Sequence, residues 1–185
     1  MVFCEKMTFI ENYRCPDCGS LITKKNEREL KCVHCHSVWE IRHKIPHFSK
    51  TNFYWGDIPE DKMKEMNDYA IKYGWRKALS KFFPEGSYNR KIHVEKENQR
   101  ADFRYLLPLT DRSRILDVGC GMGSISLALS DIAKEVYSFD AVYERARFLS
   151  IRAHQEKKRN ISVSVANLFG PPFPDNFFDI VILNG

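Results

Sequence analysis

The sequence predicts an α/β protein: an incomplete parallel sheet of about four strands, preceded by a helical segment and by a small β unit held by a metal. Three observations predict this. Arg114 to Leu129 runs from a short apolar stretch with an acid near its end, through Gly119, Gly121 and Gly123, into apolar residues at helical spacing, the pattern of strand, tight turn and helix. Strand-like and helix-like runs then alternate to the end of the chain. Near the start, four of the six cysteines stand in two C-x-x-C pairs.

With 185 residues the chain has room for one ordinary domain or two small ones. A net charge of +5 is compatible with an anionic partner, but acids and bases are interspersed along most of the chain, so charge alone selects no function. Composition argues against disorder. The first residues lack a basic stretch followed by an unbroken apolar run, and no segment approaches the length of a membrane span, so a cytoplasmic protein without membrane attachment is expected.

Taken in order, Cys15-Pro-Asp-Cys18 and Cys32-Val-His-Cys35 are separated by residues that read as a hairpin, with Leu21-Ile22 and Leu30-Lys31 as its arms and a charged turn between them. A hairpin brings the pairs together, and four thiolates suit a tetrahedral, closed, structural Zn²⁺ site. A unit of about fifty residues has too little core to hold itself, so the metal would decide whether it folds. A redox-active pair and disulfides are the alternatives. His34, His36, His43 and His47 surround the second pair and read as surface or supporting groups, with His34 the first substitute for a misplaced cysteine. Ser37 to Phe48 alternates apolar and polar residues and reads as a third strand.

Pro59 opens an amphipathic helix with Met63, Met66, Tyr69, Ala70 and Tyr73 on one face. Gly74 interrupts it, Ala78, Leu79, Phe82 and Phe83 carry the face on, and Pro84-Glu-Gly86 ends it. Such an aromatic stripe can stack on bases, but its helical spacing favours packing. Lys91 to Arg100 is the most polar stretch and reads as a solvated helix or lid, with His93 as a lone candidate for chemistry and no partner in sequence to activate it.

The glycines at 119, 121 and 123 let backbone approach a ligand closely. A dinucleotide fingerprint would put its third glycine at position 124, which is Ser124, so a nicotinamide cofactor is disfavoured; a purely structural turn remains open. Glu135 to Ala141 reads as the second strand of the sheet. Asp140, about twenty residues past the first glycine, can accept ribose hydroxyls or cap the next helix, Tyr143 to Lys158. The basic run Lys157-Lys-Arg159 suits that helix's C-terminus. Asn160 to Asn167 reads as the third strand and Ile180 to Leu183 as the fourth.

With Asp117 two residues before the first glycine, this motif resembles motif I of class I S-adenosylmethionine-dependent methyltransferases, whose fold is a Rossmann-like sheet, and Asp140 falls where that family has its motif II acid. The resemblance implies S-adenosyl-L-methionine as cofactor, held by Asp117, Gly119, Cys120, Gly121, Gly123, Asp140, Ala141, Asn167, Leu168 and Asn184. In this family the acid and glycines hold the methionine end, and a post-strand acid approaches the adenine amino group; here that position is Asn167, a weaker acceptor. Asn184-Gly185 lie where the family puts residues near the methyl group. Ala101 to Pro108 is placed to be the helix that precedes the first strand, in a region that often folds over the cofactor.

Tyr13 to Phe48 is similar to the zinc ribbons of the tRNA-methyltransferase activator family, which also occur fused ahead of methyltransferase domains. The expected division is a zinc ribbon over 1–50, a helical linker or lid over 51–105 and a partial cofactor-binding domain over 106–185. A complete family sheet has seven strands, so a truncated or split version with an open apolar edge at strand four is expected. The leading reading is a zinc-ribbon methyltransferase acting on a small molecule, glycan, RNA or protein, with no nameable catalytic base. The alternative is a non-catalytic zinc-binding or activator module with a remnant methyltransferase half, docking a protein partner through that edge.

Overall fold

The computed structural model describes residues 9–184. The reading of the first eight residues as free of a leader, and the placement of Gly185, lie outside the described residues. No helix among the described residues is long and apolar enough to cross a membrane.

The predicted hairpin between the cysteine pairs forms as β1 (Ile22–Asn26) and β2 (Glu29–Cys32), antiparallel with Ile22 opposite Cys32. The single strand expected over 37–48 is two: β3 (Val38–Arg42) and β4 (Ile45–His47) pair antiparallel, with Arg42 opposite Ile45. His43 and Lys44 make the two-residue turn, at φ 48° and 66°. Two successive left-handed residues suit the twist of a hairpin but usually announce themselves as Asn-Gly, so the alternating pattern here conceals the reversal.

The middle segment forms α1 (Glu60–Tyr73) and α2 (Trp75–Phe82), broken at Gly74, where φ is 100°. A short α3 (Tyr88–Arg90) continues into a wider helical turn over Lys91–Glu95 and a tighter one over Glu97–Leu106 with a kink at Ala101. Then follow β5 (Arg114–Val118), α4 (Ser124–Leu129), β6 (Glu135–Asp140), α5 (Tyr143–Gln155), β7 (Ile161–Val165) and β8 (Ile180–Leu183).

One sheet contains the eight strands of the described residues, in the order β1-β2-β3-β4-β7-β6-β5-β8. The antiparallel and parallel parts join where His47 of β4 lies opposite Val165 of β7 and the Phe48 N–H donates to the Val165 carbonyl at 2.7 Å. From β5 the chain steps through β6 to β7 on one side, then returns to place β8 on the other. That reversal leaves a crevice at the carboxyl end of β5, because the connections on its two sides lead apart.

Strand alternation assigns the two faces. Ile115 and Val136 face α4 and α5, where they pack with Leu127, Leu129, Leu149 and Ala153. Leu116, Val118, Tyr137 and Phe139 face the other way, into one core with Tyr13, Cys15, Cys32, Trp39 and Phe48. Phe173, Phe177 and Phe178 close that side. Most of the helical stripe read from the middle segment packs: Met63, Met66, Ala70, Ala78 and Leu79, joined by Trp75, are buried against Phe148 and Ile151 of α5 and Met122 of the glycine turn, while Tyr73 at the end of α1 is exposed. Asn67 secures this docking by donating to a carboxylate oxygen of buried Glu144 at 2.7 Å. At the β8 edge, Val181 and Leu183 are 59% and 69% exposed.

Candidate functional site

The crevice at the β5 carboxyl end is a cavity of about 410 Å³. Its floor is the glycine turn. The N–H groups of Gly119 and Cys120 both donate to the Phe139 carbonyl, at 2.9 and 3.0 Å, which ties the turn to β6. Gly121 has φ 52° and a Cβ built there meets nothing within 4 Å, so its strain is conformational and the space above it belongs to the cavity. Gly123 is needed for a different reason. At φ 86°, a Cβ would come within 2.2 Å of Leu149 Cδ1, so glycine lets α5 approach the turn.

Two carboxylates flank this floor. Asp117 is buried and accepts from the Ser126 hydroxyl at 2.5 Å, which in turn accepts from Ser138 at 2.9 Å. Burial and the neighbouring Asp140 charge push its pKa up to about 6, against the Ser126 hydrogen bond. Asp140 accepts from the N–H groups of Gly121 and Val142, each at 2.8 Å, so one carboxylate braces the turn and caps the approach to α5. Its pKa is also raised, by burial, with those backbone donors opposing. Each carboxylate oxygen retains acceptor capacity after one bond.

The opposite wall comes from the middle segment. Phe53, Trp55, Tyr88, His93 and Arg100 line it. Arg145 of α5 pairs with Asp57 at 3.3 Å and lies 5.0 Å from the Trp55 ring centroid, holding this segment over the mouth. His93 is 8% exposed and stacks on Phe83 at 5.7 Å, and its Nδ1 has no hydrogen-bond partner. Burial, and then the nearby Arg100, push its pKa down to about 3, so the imidazole is neutral near pH 7.

Of the residues singled out from sequence, Asp117, Gly119, Cys120, Gly121, Gly123, Asp140 and Asn184 meet in this cavity. Ala141, Asn167 and Leu168 are not among its lining residues. Ala141 lines a neighbouring cavity of about 310 Å³. Asn167 and Leu168 are exposed, and the Asn167 carboxamide oxygen accepts from the Phe169 N–H at 3.0 Å. Sequence reasoning missed Arg100 and Arg152. Arg152 is fully buried on α5, where it donates to the Met122 carbonyl at 2.8 Å, pairs with Glu97 and lies 4.1 Å from the Trp75 ring centroid. It therefore joins the glycine turn, α2 and the segment before β5. Its only sequence signal is an arginine among the apolar positions of α5.

The second constellation is the cysteine cluster. The sulfurs of Cys15, Cys18, Cys32 and Cys35 all lie within 4.8 Å of one another, with Cys15 to Cys35 at 3.6 Å and Cys18 to Cys32 at 3.5 Å. Tetrahedral zinc with Zn–S of about 2.3 Å requires S–S separations near about 3.8 Å, so the arrangement fits. Asp17 braces the cluster, accepting from the Ser37 hydroxyl at 2.7 Å and from Lys50 at 2.8 Å. Among the described residues no histidine joins the group. His43 hydrogen-bonds the Tyr143 hydroxyl, while His47 engages the Ser49 carbonyl.

Comparison with known proteins bears on the carboxyl-terminal part. A methyltransferase-domain family model matches residues 116–185. Over 68 residues the chain is 34% identical to the uncharacterized methyltransferase YcgJ of Bacillus subtilis, a match covering 37% of this chain and 27% of that protein. The chain thus spans about a quarter of the length of the curated relative it matches. Among solved structures, YcgJ of Bacillus subtilis aligns at 27% identity over 48% of this chain and 37% of that one, with TM-score 0.42. A SAM-dependent methyltransferase from Aquifex aeolicus aligns at 21% identity over 57% of this chain and 54% of that one, with TM-score 0.43.

Proposed function

We propose that the crevice binds S-adenosyl-L-methionine, that the chain carries the cofactor-binding half of a methyltransferase, and that the cysteine cluster holds one structural Zn²⁺. The observation that carries this reading is the open floor at Gly121 between Asp117 and Asp140, at the carboxyl end of β5. The residues suit the cofactor's parts. Asp140 has acceptor capacity left for ribose hydroxyls, and Asp117 presents a carboxylate to an ammonium group. The cavity's volume lies in the range of small-molecule sites.

When bound, the cofactor supplies an electrophilic methyl group on a sulfonium. The protein's part is then orientation and exclusion of water. The glycine turn and the two acids hold one side, and Phe53, Trp55 and Tyr88 cover the other, from which a methyl acceptor approaches. Neutral His93 can hydrogen-bond to a ligand in that wall without adding charge. Four thiolates close the zinc shell, so the metal's role is to hold the ribbon.

Calorimetric titration with S-adenosylhomocysteine tests the cofactor reading. Saturable binding in the wild type, lost in Gly121→Val and in Asp140→Ala while each variant keeps its melting transition, is the expected outcome. Absence of binding, or binding indifferent to both substitutions, refutes it.

A further inference from the structure

We propose a second ligand site: the cavity between the β3–β4 turn, α1 and α5 binds a medium-chain aliphatic carboxylate, with its chain on Ile45, Ile71 and Ile151 and its carboxylate at Lys44. The site is independent of the cofactor reading, because this cavity and the crevice share no lining residue.

The cavity measures about 400 Å³, toward the lower end of small-molecule sites. One wall is a single face of α5, on which Arg147, Ser150, Ile151 and His154 recur at helical spacing. Ile71 of α1 and the β3–β4 turn stand across from it. Depth and mouth differ in chemistry. Ile45 and Ile151 are buried, at 1% and 7% exposure, while Ile71 is 42% exposed and Lys44 and His154 lie at the surface. The depth is therefore branched aliphatic, and no aromatic ring lines the cavity to offer a stacking surface. A flexible alkyl chain suits such a slot better than a planar ring does.

The titratable groups at the mouth select the ligand's charge. Every one that lines the cavity is a base, His43, Lys44, Arg147 or His154, and among the described residues no carboxylate joins them. Arg147 is already answered by Asp68 at 3.0 Å and Glu144 at 3.5 Å, neither of which lines the cavity. His43 is held by the Tyr143 hydroxyl at 2.5 Å. Lys44 is thus the fixed cation at the mouth that an incoming anion meets. The turn itself points the same way. His43 and Lys44 occupy two successive left-handed positions, at φ 48° and 66°, where Asn-Gly would cost less. The chain carries two basic side chains there instead, and both line the cavity.

Calorimetry on the whole chain tests this with three probes: octanoate, octanol and acetate. Octanoate should bind saturably. Octanol should bind about 5- to 20-fold more weakly, for want of a charge-assisted contact. Acetate, which has no chain to bury, should show no saturable binding. Lys44→Asn removes the cation while asparagine tolerates the left-handed backbone, so it should weaken octanoate about 5- to 20-fold, change octanol by less than about twofold and leave the melting transition in place. Ile71→Glu, at an exposed helical position, should abolish octanoate binding without unfolding the chain. No octanoate binding, indifference to Lys44→Asn, or an equal effect of Lys44→Asn on octanoate and octanol overturns the proposal. So does competition between octanoate and S-adenosylhomocysteine, which would put the chain in the crevice. Retention of the protein on phosphatidylglycerol vesicles, with no binding of free octanoate, would assign the basic mouth to a lipid surface and overturn it as well.

Discussion

The two faces of the central strands are built from different material. Toward α4 and α5, β5 and β6 bury Ile115 and Val136 against helices, and the polar residues on that face, Asp117 and Ser138, are joined through Ser126. Toward the ribbon, the same strands bury Leu116, Val118, Tyr137 and Phe139 against Tyr13, Cys15, Cys32 and Trp39. The first face carries the site, and the second is covered by a unit that gathers four cysteine sulfurs within 4.8 Å of one another. Two of the four cysteines are therefore core residues of the sheet as well as candidate ligands. The ribbon is part of the support beneath the crevice, because the strands that carry Asp117 and Asp140 rest on it.

The largest expected effect tests that continuity. Structural zinc contributes on the order of 10 kcal/mol of apparent binding energy in small domains. Cys32→Ser should lose the metal by elemental analysis, lower the melting temperature of the whole chain in a single transition and weaken S-adenosylhomocysteine. Two separate transitions with ligand binding intact would instead mean that the ribbon and the crevice are independent, with a boundary near residue 50.

Gly123→Ala acts from the helical face alone. A Cβ within 2.2 Å of Leu149 Cδ1 at φ 86° combines overpacking with backbone strain, which should cost about 2–3 kcal/mol in denaturant unfolding. Metal content by elemental analysis should match that of the wild type. A neutral substitution would show that α5 can retreat from the turn.

A smaller effect isolates Asp117. Its pKa in the folded chain is raised from 3.8 to about 6, so the folded protein keeps a proton that the unfolded chain gives up. That contribution to stability is complete below about pH 4 and is lost as pH rises through about 6. Affinity for a ligand ammonium runs the other way, because it needs the carboxylate, and should rise about tenfold from pH 5 to pH 7. Asp117→Asn should flatten both slopes, measured by denaturation and by calorimetry; a slope that persists assigns the titration to another group.

Local pattern alone determined the order of strands and helices from Arg114 onward, the glycine turn between Asp117 and Ser124, the Gly74 break, and the pairing of the cysteine knuckles across a hairpin. Each of these is written in residues a few positions apart: periodicity, a φ that favours glycine, or ligand spacing. Tertiary structure decided the rest. The left-handed pair His43-Lys44 reversed a segment that alternated like one strand, and that reversal put β4 beside β7. Asn167, placed by its position after a strand, turned its carboxamide into its own loop. Arg100 and His93 entered the cavity from a stretch that reads as solvated helix, because α1 and α2 dock on α5 and carry the following residues over the glycine turn. Which polar side chain is left without a partner is settled by every other pairing in the molecule. No window of sequence contains that information, and it first appears when segments as distant as Arg145 and Asp57, or Arg152 and Glu97, have found one another.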